Sequence, residues 1–298
     1  VPLTYILSKL PPKETVPNKD YLLKKAKKND RESVLHYKTG IDGITIFDFV
    51  KGDDIESVQY LLESGVSVNI RSKSEDTPLI CSIFKGYNDV IDFLIEKGAD
   101  VNAQGGYSNT ALHTAAQFGC FTAVKLLLDA GADLSIQNEK GLTPLHCSVI
   151  GRIYDNVYGN IFVTKSLLEA GAEVDAIDHS GKTALHYAVT SISMVKLLHK
   201  SGASLNRFDN QGQTALHYAC EKGSTQVVNF LLENGAIIEA QSFNGDLPLH
   251  TAVASGDLAA VNILLNKYKE IYPEKRVPLE LFVNKEGKTP LDLAVEKK

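Results

Sequence analysis

Eight histidines and four cysteines are the residues here whose chemistry could support metal binding or acid–base catalysis, so their spacing is the first question. Imidazole titrates near neutral pH and, when neutral, is a common metal ligand. Five of the histidines (His113, His146, His186, His217 and His250) stand fourth in a recurring phrase, as in Thr143-Pro144-Leu145-His146. They recur along the chain and do not converge. No His-Glu-x-x-His accompanies them, and the pairs His146/Cys147 and His217/Cys220 lack the further ligands that a zinc site would need. We read them as structural. Gly181-Lys182-Thr183 and Gly287-Lys288-Thr289 have the ending of a phosphate-binding loop, but Ala176 and Phe282 stand where that motif needs its first glycine. Cys81 and Cys147 share one place in the repeat, and Cys220 falls two residues later in it. Cys120 lies at a turn. None belongs to a Cys-x-x-Cys motif, so four free thiols and a reducing, cytoplasmic compartment are expected. With no Gly-x-Ser-x-Gly either, the residues offer no catalytic constellation. The expectation is a non-enzymatic chain with no cofactor and no metal.

What positions these residues is a repeat of about thirty-three residues. Thr77-Pro78-Leu79-Ile80, Thr110-Ala111-Leu112-His113, Thr143-Pro144-Leu145-His146, Thr183-Ala184-Leu185-His186 and Thr214-Ala215-Leu216-His217 recur, followed by Leu247-Pro248-Leu249-His250 and Thr289-Pro290-Leu291-Asp292. The spacings are 33, 33, 40, 31, 33 and 42 residues. A glycine-led phrase keeps step, as in Gly98-Ala99-Asp100-Val101-Asn102 and Gly131-Ala132-Asp133-Leu134-Ser135. Threonine suits a helix N-cap, and proline suits the first helical position, where its missing N–H costs nothing. After Thr110, Leu112, Ala115 and Ala116 lie at helical spacing, and Phe118-Gly119-Cys120 breaks the helix. Val124, Leu127 and Leu128 form a second buried stripe, and Gly131 fits the left-handed position that ends it. Residues 133–141 then form an extended turn. Such a helical pair is too small to bury its own apolar face, so neighbours must stack.

Both phrases closely resemble the ankyrin repeat, over roughly residues 43–298. The resemblance implies an all-α ankyrin-repeat solenoid of about eight or nine helix-turn-helix units with projecting β-turn or hairpin loops. It also implies hydrogen bonding of the five histidines to neighbouring backbone. Ankyrin-like arrays bind protein partners through turn tips and the concave face of their first helices. Leu94, five residues and then Asp100-Val101-Asn102 resemble the context in which ankyrin-repeat asparagines are hydroxylated, so Asn102 is a candidate for that modification.

The ends and two long spacings depart from the pattern. Residues 1–19, with four prolines, read as an extended arm, and residues 20–42 as a degenerate capping unit. Residues 1–38 carry nine Lys/Arg and four Asp/Glu, a charge of +5 against −10 for the remainder, which reads as a solvated cap or a site for an acidic partner. Insertions fall near 151–160, bringing Tyr154 and Tyr158, and near 269–281, where Pro273 and Pro278 oppose a simple helix extension. The Val1 start and an end at Lys298, after the first helix of a unit, suggest a segment of a larger protein.

Partner-binding residues should appear where the repeat leaves the choice free. Polar residues are the ordinary occupants of those places, yet Phe84, Tyr107, Phe118, Leu142, Ile177, Phe208 and Phe243 stand there. With Tyr154 and Tyr158 they form the candidate interface. Composition narrows the alternatives: net charge is −5, so the chain lacks the basic character of a nucleic-acid binder, and no apolar run is long enough to span a membrane. The expected function is a monomeric protein-interaction scaffold. The alternatives are the targeting module of a larger enzyme or toxin, or a bacterial effector acting in host cytosol, the latter suggested by a Lys-, Asn- and Ile-rich, tryptophan-free composition.

Overall fold

The computed structural model describes residues 45–63, 65–84, 88–151, 159–273 and 282–296. The arm at 1–19, the capping unit at 20–42, and Tyr154 and Tyr158 lie outside the described residues. All regular structure among the described residues is helical, and the chain divides into two compact units, residues 1–100 and 101–298. The first contains α1 (Ile46–Lys51), α2 (Ile55–Glu63), α3 (Pro78–Ile83) and α4 (Asn88–Glu96). Within it α1 packs on α2 and α3, and α4 on α2 and α3.

The second unit continues the alternation with α5 (Ala111–Phe118), α6 (Phe121–Asp129), α7 (Pro144–Ile150), α8 (Gly159–Glu169), α9 (Ala184–Ala188) and α10 (Ile192–Lys200). It closes with α11 (Ala215–Glu221), α12 (Thr225–Glu233), α13 (Pro248–Ser255), α14 (Leu258–Ile271) and α15 (Pro290–Glu296). First helices stack on one another in the order α5, α7, α9, α11, α13, α15, and second helices in the order α6, α8, α10, α12, α14. The repeated leucine explains why they stack. Leu112, Leu145, Leu185, Leu216 and Leu249 are all fully buried. Three residues further on stand Ala115, Ser148, Ala188, Ala219 and Ala252, also buried and small enough for first helices to approach closely. Ser148 meets the polar requirement of that place by hydrogen bonding to the Leu145 carbonyl and the Thr164 hydroxyl, both at 2.8 Å. Leu291, in the same register, is 68% exposed because no second helix or following unit covers α15 among the described residues.

The irregular spacings resolve differently. The first insertion begins at Gly151, and its last residues already belong to α8, which starts at Gly159. At the second, α14 runs on through Lys269 to Ile271, longer than any other described helix, and stops two residues before Pro273. A helix extension therefore does take part of that spacing. Proline forbids only its continuation. Shortening near Thr190 falls on α9, which has only five residues.

Successive turns also touch. The backbone N–H groups of Glu139, His179, Asn210, Phe243 and Lys285 donate to the carbonyls of Tyr107, Lys140, Ser180, Gln211 and Asn244 in the turn before, at 2.8–3.1 Å. This contact demands glycine beneath it. Gly212 has φ +71°, and a Cβ there would stand 2.6 Å from the Phe243 nitrogen and 2.7 Å from its ring. Gly235, with φ +93°, has no atom within 4 Å of the same position and needs glycine only for its conformation. Gly235→Ala should cost about 1–2 kcal/mol, the usual strain of a left-handed residue, and Gly212→Ala clearly more. Urea denaturation of the two variants checks this, and equal losses would mean that turn-to-turn packing adds nothing.

Candidate functional site

Each repeated histidine is held by its own helix N-terminus. At Thr110 and Thr143 the hydroxyl lies 2.8 and 2.9 Å from the Nδ1 of His113 and His146, and the threonine N–H donates to the same nitrogen at 3.2 Å. His186 and His217 repeat this with Thr183 and Thr214, at 2.9 and 3.0 Å from the hydroxyls. At His250 a leucine replaces the threonine, so only the Leu247 N–H remains, at 3.1 Å. Nδ1 must therefore accept, which leaves the proton on Nε2. That Nε2–H donates into the following turn: His113 to the Leu142 carbonyl at 2.9 Å, His146 to Lys182 at 3.1 Å, His217 to Asp246 at 3.0 Å and His250 to Lys288 at 3.2 Å. His186 reaches both Arg207 and Gln213, at 3.1 and 3.2 Å. All five rings are buried. They tie consecutive units together.

The turns are braced from within. Asp178 accepts the N–H groups of Ser180 and Lys182 at 2.8 and 2.9 Å and the Tyr187 hydroxyl. Asp209 accepts those of Gln211 and Gln213, both at 2.8 Å, and the Tyr218 hydroxyl at 2.6 Å. Asn138 does the same with the N–H groups of Lys140 and Leu142. At the base of the turns, Asn102 Oδ1 accepts the Asp133 N–H at 2.8 Å, and Asn206 accepts the Ile237 N–H at 2.9 Å. The candidate modification site is therefore a bridging side chain whose acceptor is engaged in the next unit.

The residues singled out for binding separate into groups. Phe84 belongs to the first compact unit and is 44% exposed. In the second unit Tyr107 is 79%, Ile177 50%, Phe208 50% and Phe243 63% exposed, all on turns. Phe118 and Leu142 are only half-buried positions, because Phe118 ends α5 against the Gly119 turn and Leu142 holds the strut carbonyl that His113 uses. Ile177 and Phe208 occupy the same place in consecutive turns. Tyr107 lies in a short 3-10 turn over Gly106–Ser108 and has φ +56°, as does Ser108 after it. Later turns of the second unit place a glycine two residues before the opening threonine, as at Gly141, Gly181 and Gly212, whereas here Ser108 stands there, as Glu75 does before Thr77.

Two features escape the sequence reading. Ile237 stands exposed where other units carry Asp100, Asp133 or Glu173, a polar place with an apolar occupant that could have been seen. The pairing of Asp178 with Tyr187 and of Asp209 with Tyr218 leaves only a nine-residue spacing, repeated once, as its trace. Burial pushes the Cys81, Cys147 and Cys220 thiols up to about 12 and also raises Cys120, so all four free thiols are poor nucleophiles at neutral pH. Among the described residues no group of three His, Cys, Asp or Glu could hold a metal ion, and no helix is long and apolar enough to cross a membrane.

A family model described as ankyrin repeats (3 copies) matches residues 19–105, 46–138, 103–158, 156–242 and 191–276. No curated protein is matched by sequence. Among solved structures, the chain is similar to that reported as the crystal structure of the ankyrin repeat domain of Bcl-3, a unique member of the IkappaB protein family. The two share 29% sequence identity at a TM-score of 0.64, over 74% of this chain and 97% of that one.

The histidine struts have a pH consequence. Burial holds His113 down to about 4, and lowers His146, His186 and His217 as well, against the carbonyl contacts that favour the charged form. A group whose folded pKa is depressed is protonated more readily when unfolded, so its contribution is complete above the unfolded value of about 6.5 and fades as pH falls towards the folded one. Stability should therefore drop between pH 7 and pH 5, by about 1–2 kcal/mol for His113 alone. Urea titrations at the two pH values measure it, and a flat profile would contradict neutral, accepting Nδ1 atoms.

Proposed function

The chain belongs to the ankyrin repeat family, and from that premise we propose that it is a non-enzymatic scaffold that captures a protein partner on the turn tips and adjoining first-helix face of its second compact unit. Ankyrin repeats generally mediate protein–protein interaction, and the fold is generally a non-enzymatic one. The observation that carries the finer reading is the exposure of Tyr107, Ile177, Phe208 and Phe243 on turns that are hydrogen-bonded to one another. Large apolar side chains held at the surface on a stiff support are the usual anchors of an interface. The ladder of turn-to-turn bonds orders the support in advance, which reduces the ordering cost of association. Tyr107 adds a second indication. An aromatic residue at positive φ is strained, and such strain persists where the surroundings impose it. Phe118 and Leu142, being half-buried, would line the floor of that surface and not its rim. In this reading the protein acts as a monomer in the cytoplasm without a cofactor.

Tyr107→Ala and Phe208→Ala test the surface with little risk to the fold, since surface truncations away from special contacts usually change stability by under about 0.5 kcal/mol. The double variant should keep the wild-type melting temperature and bind a captured partner roughly tenfold or more weakly, the size of a typical hot-spot loss. Pull-down from cell lysate followed by titration of the recovered partner provides the comparison. Undiminished binding by the double variant would remove the tips from the interface.

A further inference from the structure

The turns at residues 176–182 and 206–213 differ from their neighbours in where their charges go. Their two carboxylates, Asp178 and Asp209, are buried and saturated by backbone N–H groups and by the tyrosine hydroxyls. Their cations are not neutralised in this way. Arg207 is exposed, and the Lys182 ammonium forms no ion pair among the described residues. It lies 4.4 Å from the centroid of the Tyr218 ring and 5.6 Å from that of Tyr187. Both rings are pinned, because each hydroxyl donates to a buried aspartate and each ring meets a buried histidine edge-on, Tyr187 against His146 and Tyr218 against His186. A lysine side chain ordinarily samples many rotamers, and holding it over two fixed rings removes much of that entropy beforehand. Ring faces satisfy a cation only in part. Among the described residues no acceptor takes the N–H groups of the ammonium.

Resting on the interaction reading above, we propose that Lys182 is a preorganised carboxylate anchor. The partner is a protein segment that presents an Asp or Glu side chain to the Lys182 ammonium over the Tyr187 and Tyr218 rings. Ile177 and Phe208, exposed in the same two turns, supply the apolar contacts beside it, and Arg207 adds a second cation. Charge complementarity selects an acidic segment. The carboxylates native to this patch are already consumed, so they oppose an incoming anion less than free ones would, and the exposed charges there are cationic. A charge-assisted contact at a half-buried cation is stronger than one in open solvent and still weakens as salt screens it.

Two dye-labelled pools of nonapeptides test this, alike in degenerate apolar flanks and differing in a fixed central Glu or Gln. By fluorescence polarisation at low salt, the wild-type chain should bind the Glu pool at least about fivefold more tightly than the Gln pool, a discrimination within the range of a single charged hydrogen bond. Lys182→Gln should erase the preference, leaving Gln-pool binding and the thermal melt unchanged, and Lys182→Arg should retain a part of it. Equal binding of the two pools by wild type, no binding of the Glu pool, or a preference that survives in Lys182→Gln would overturn the anchor. Phe208→Ala separates this from the broader reading. If it weakens both pools equally while Glu and Gln are not distinguished, the tip surface stands and the carboxylate anchor falls. If it changes nothing while the Glu preference follows Lys182, the anchor stands and the apolar tip surface falls.

Discussion

The second compact unit depends on a single neutral imidazole, used five times. Each ring takes an N–H from its own helix start on one nitrogen and gives an N–H to the next turn from the other. Ile80 and Asp292, which take this place in other repeats, cannot do both. A threonine hydroxyl is too short to reach the following unit, and a lysine or arginine cannot accept. Burial of His113, His146, His186 and His217 then favours the neutral ring, so the geometry and the protonation state enforce each other there. The turn that receives the bond is consequently fixed at its inner end, and Asn138, Asp178, Asp209, Ser242 or Asn284 within it accepts two further N–H groups.

That bracing is what supports the proposed placement of binding on the turns of this molecule. A surface turn is ordinarily the most mobile part of a fold. From residues 133–142 onward each turn is tied to the histidine of the unit before and to the backbone of the adjacent turn. Side chains on such a turn that take no part in the bracing can be varied without loosening it. Ile177 and Phe208 can therefore be apolar and exposed at little cost to folding, since neither takes part in the bracing through its side chain. The same independence lets one turn end in Lys182 and another in Asp246, with the carbonyl of each serving an identical structural bond.

How much of this could be read beforehand varies with the kind of interaction. Elements set by short-range rules were legible. The N-caps at Thr110 and Thr143, the left-handed end at Gly131 and the buried leucine register all follow from residue types at local spacing. The family resemblance implied backbone partners for the histidines, whereas the tautomer becomes definite only when both hydrogen bonds are seen. Exposure was less legible. Phe118 and Leu142 share their composition with Phe208 and Ile177, but their depth depends on how neighbouring units lean, which no single unit records. The helix through Lys269–Ile271 was missed because a proline forbids helix only at and just before itself, so the residues up to Ile271 remained free to continue.

The Asp–Tyr pairs carry this reasoning one step further. A buried aspartate that already receives two backbone N–H groups has no structural need of a phenol, and Asn138 braces its turn without one. The tyrosines at 187 and 218 are thus additions to a scaffold that was already satisfied, and their rings lie half-exposed where the neighbouring units place Cys147 and Thr251. Orienting a ring by its hydroxyl is useful when the ring face must meet something, and the Lys182 ammonium is what it meets. In a repeat protein the shared residues explain why the units stack. The residues that a unit adds beyond that requirement, and holds in place with bonds it did not need for folding, are the ones to which the proposed recognition is assigned.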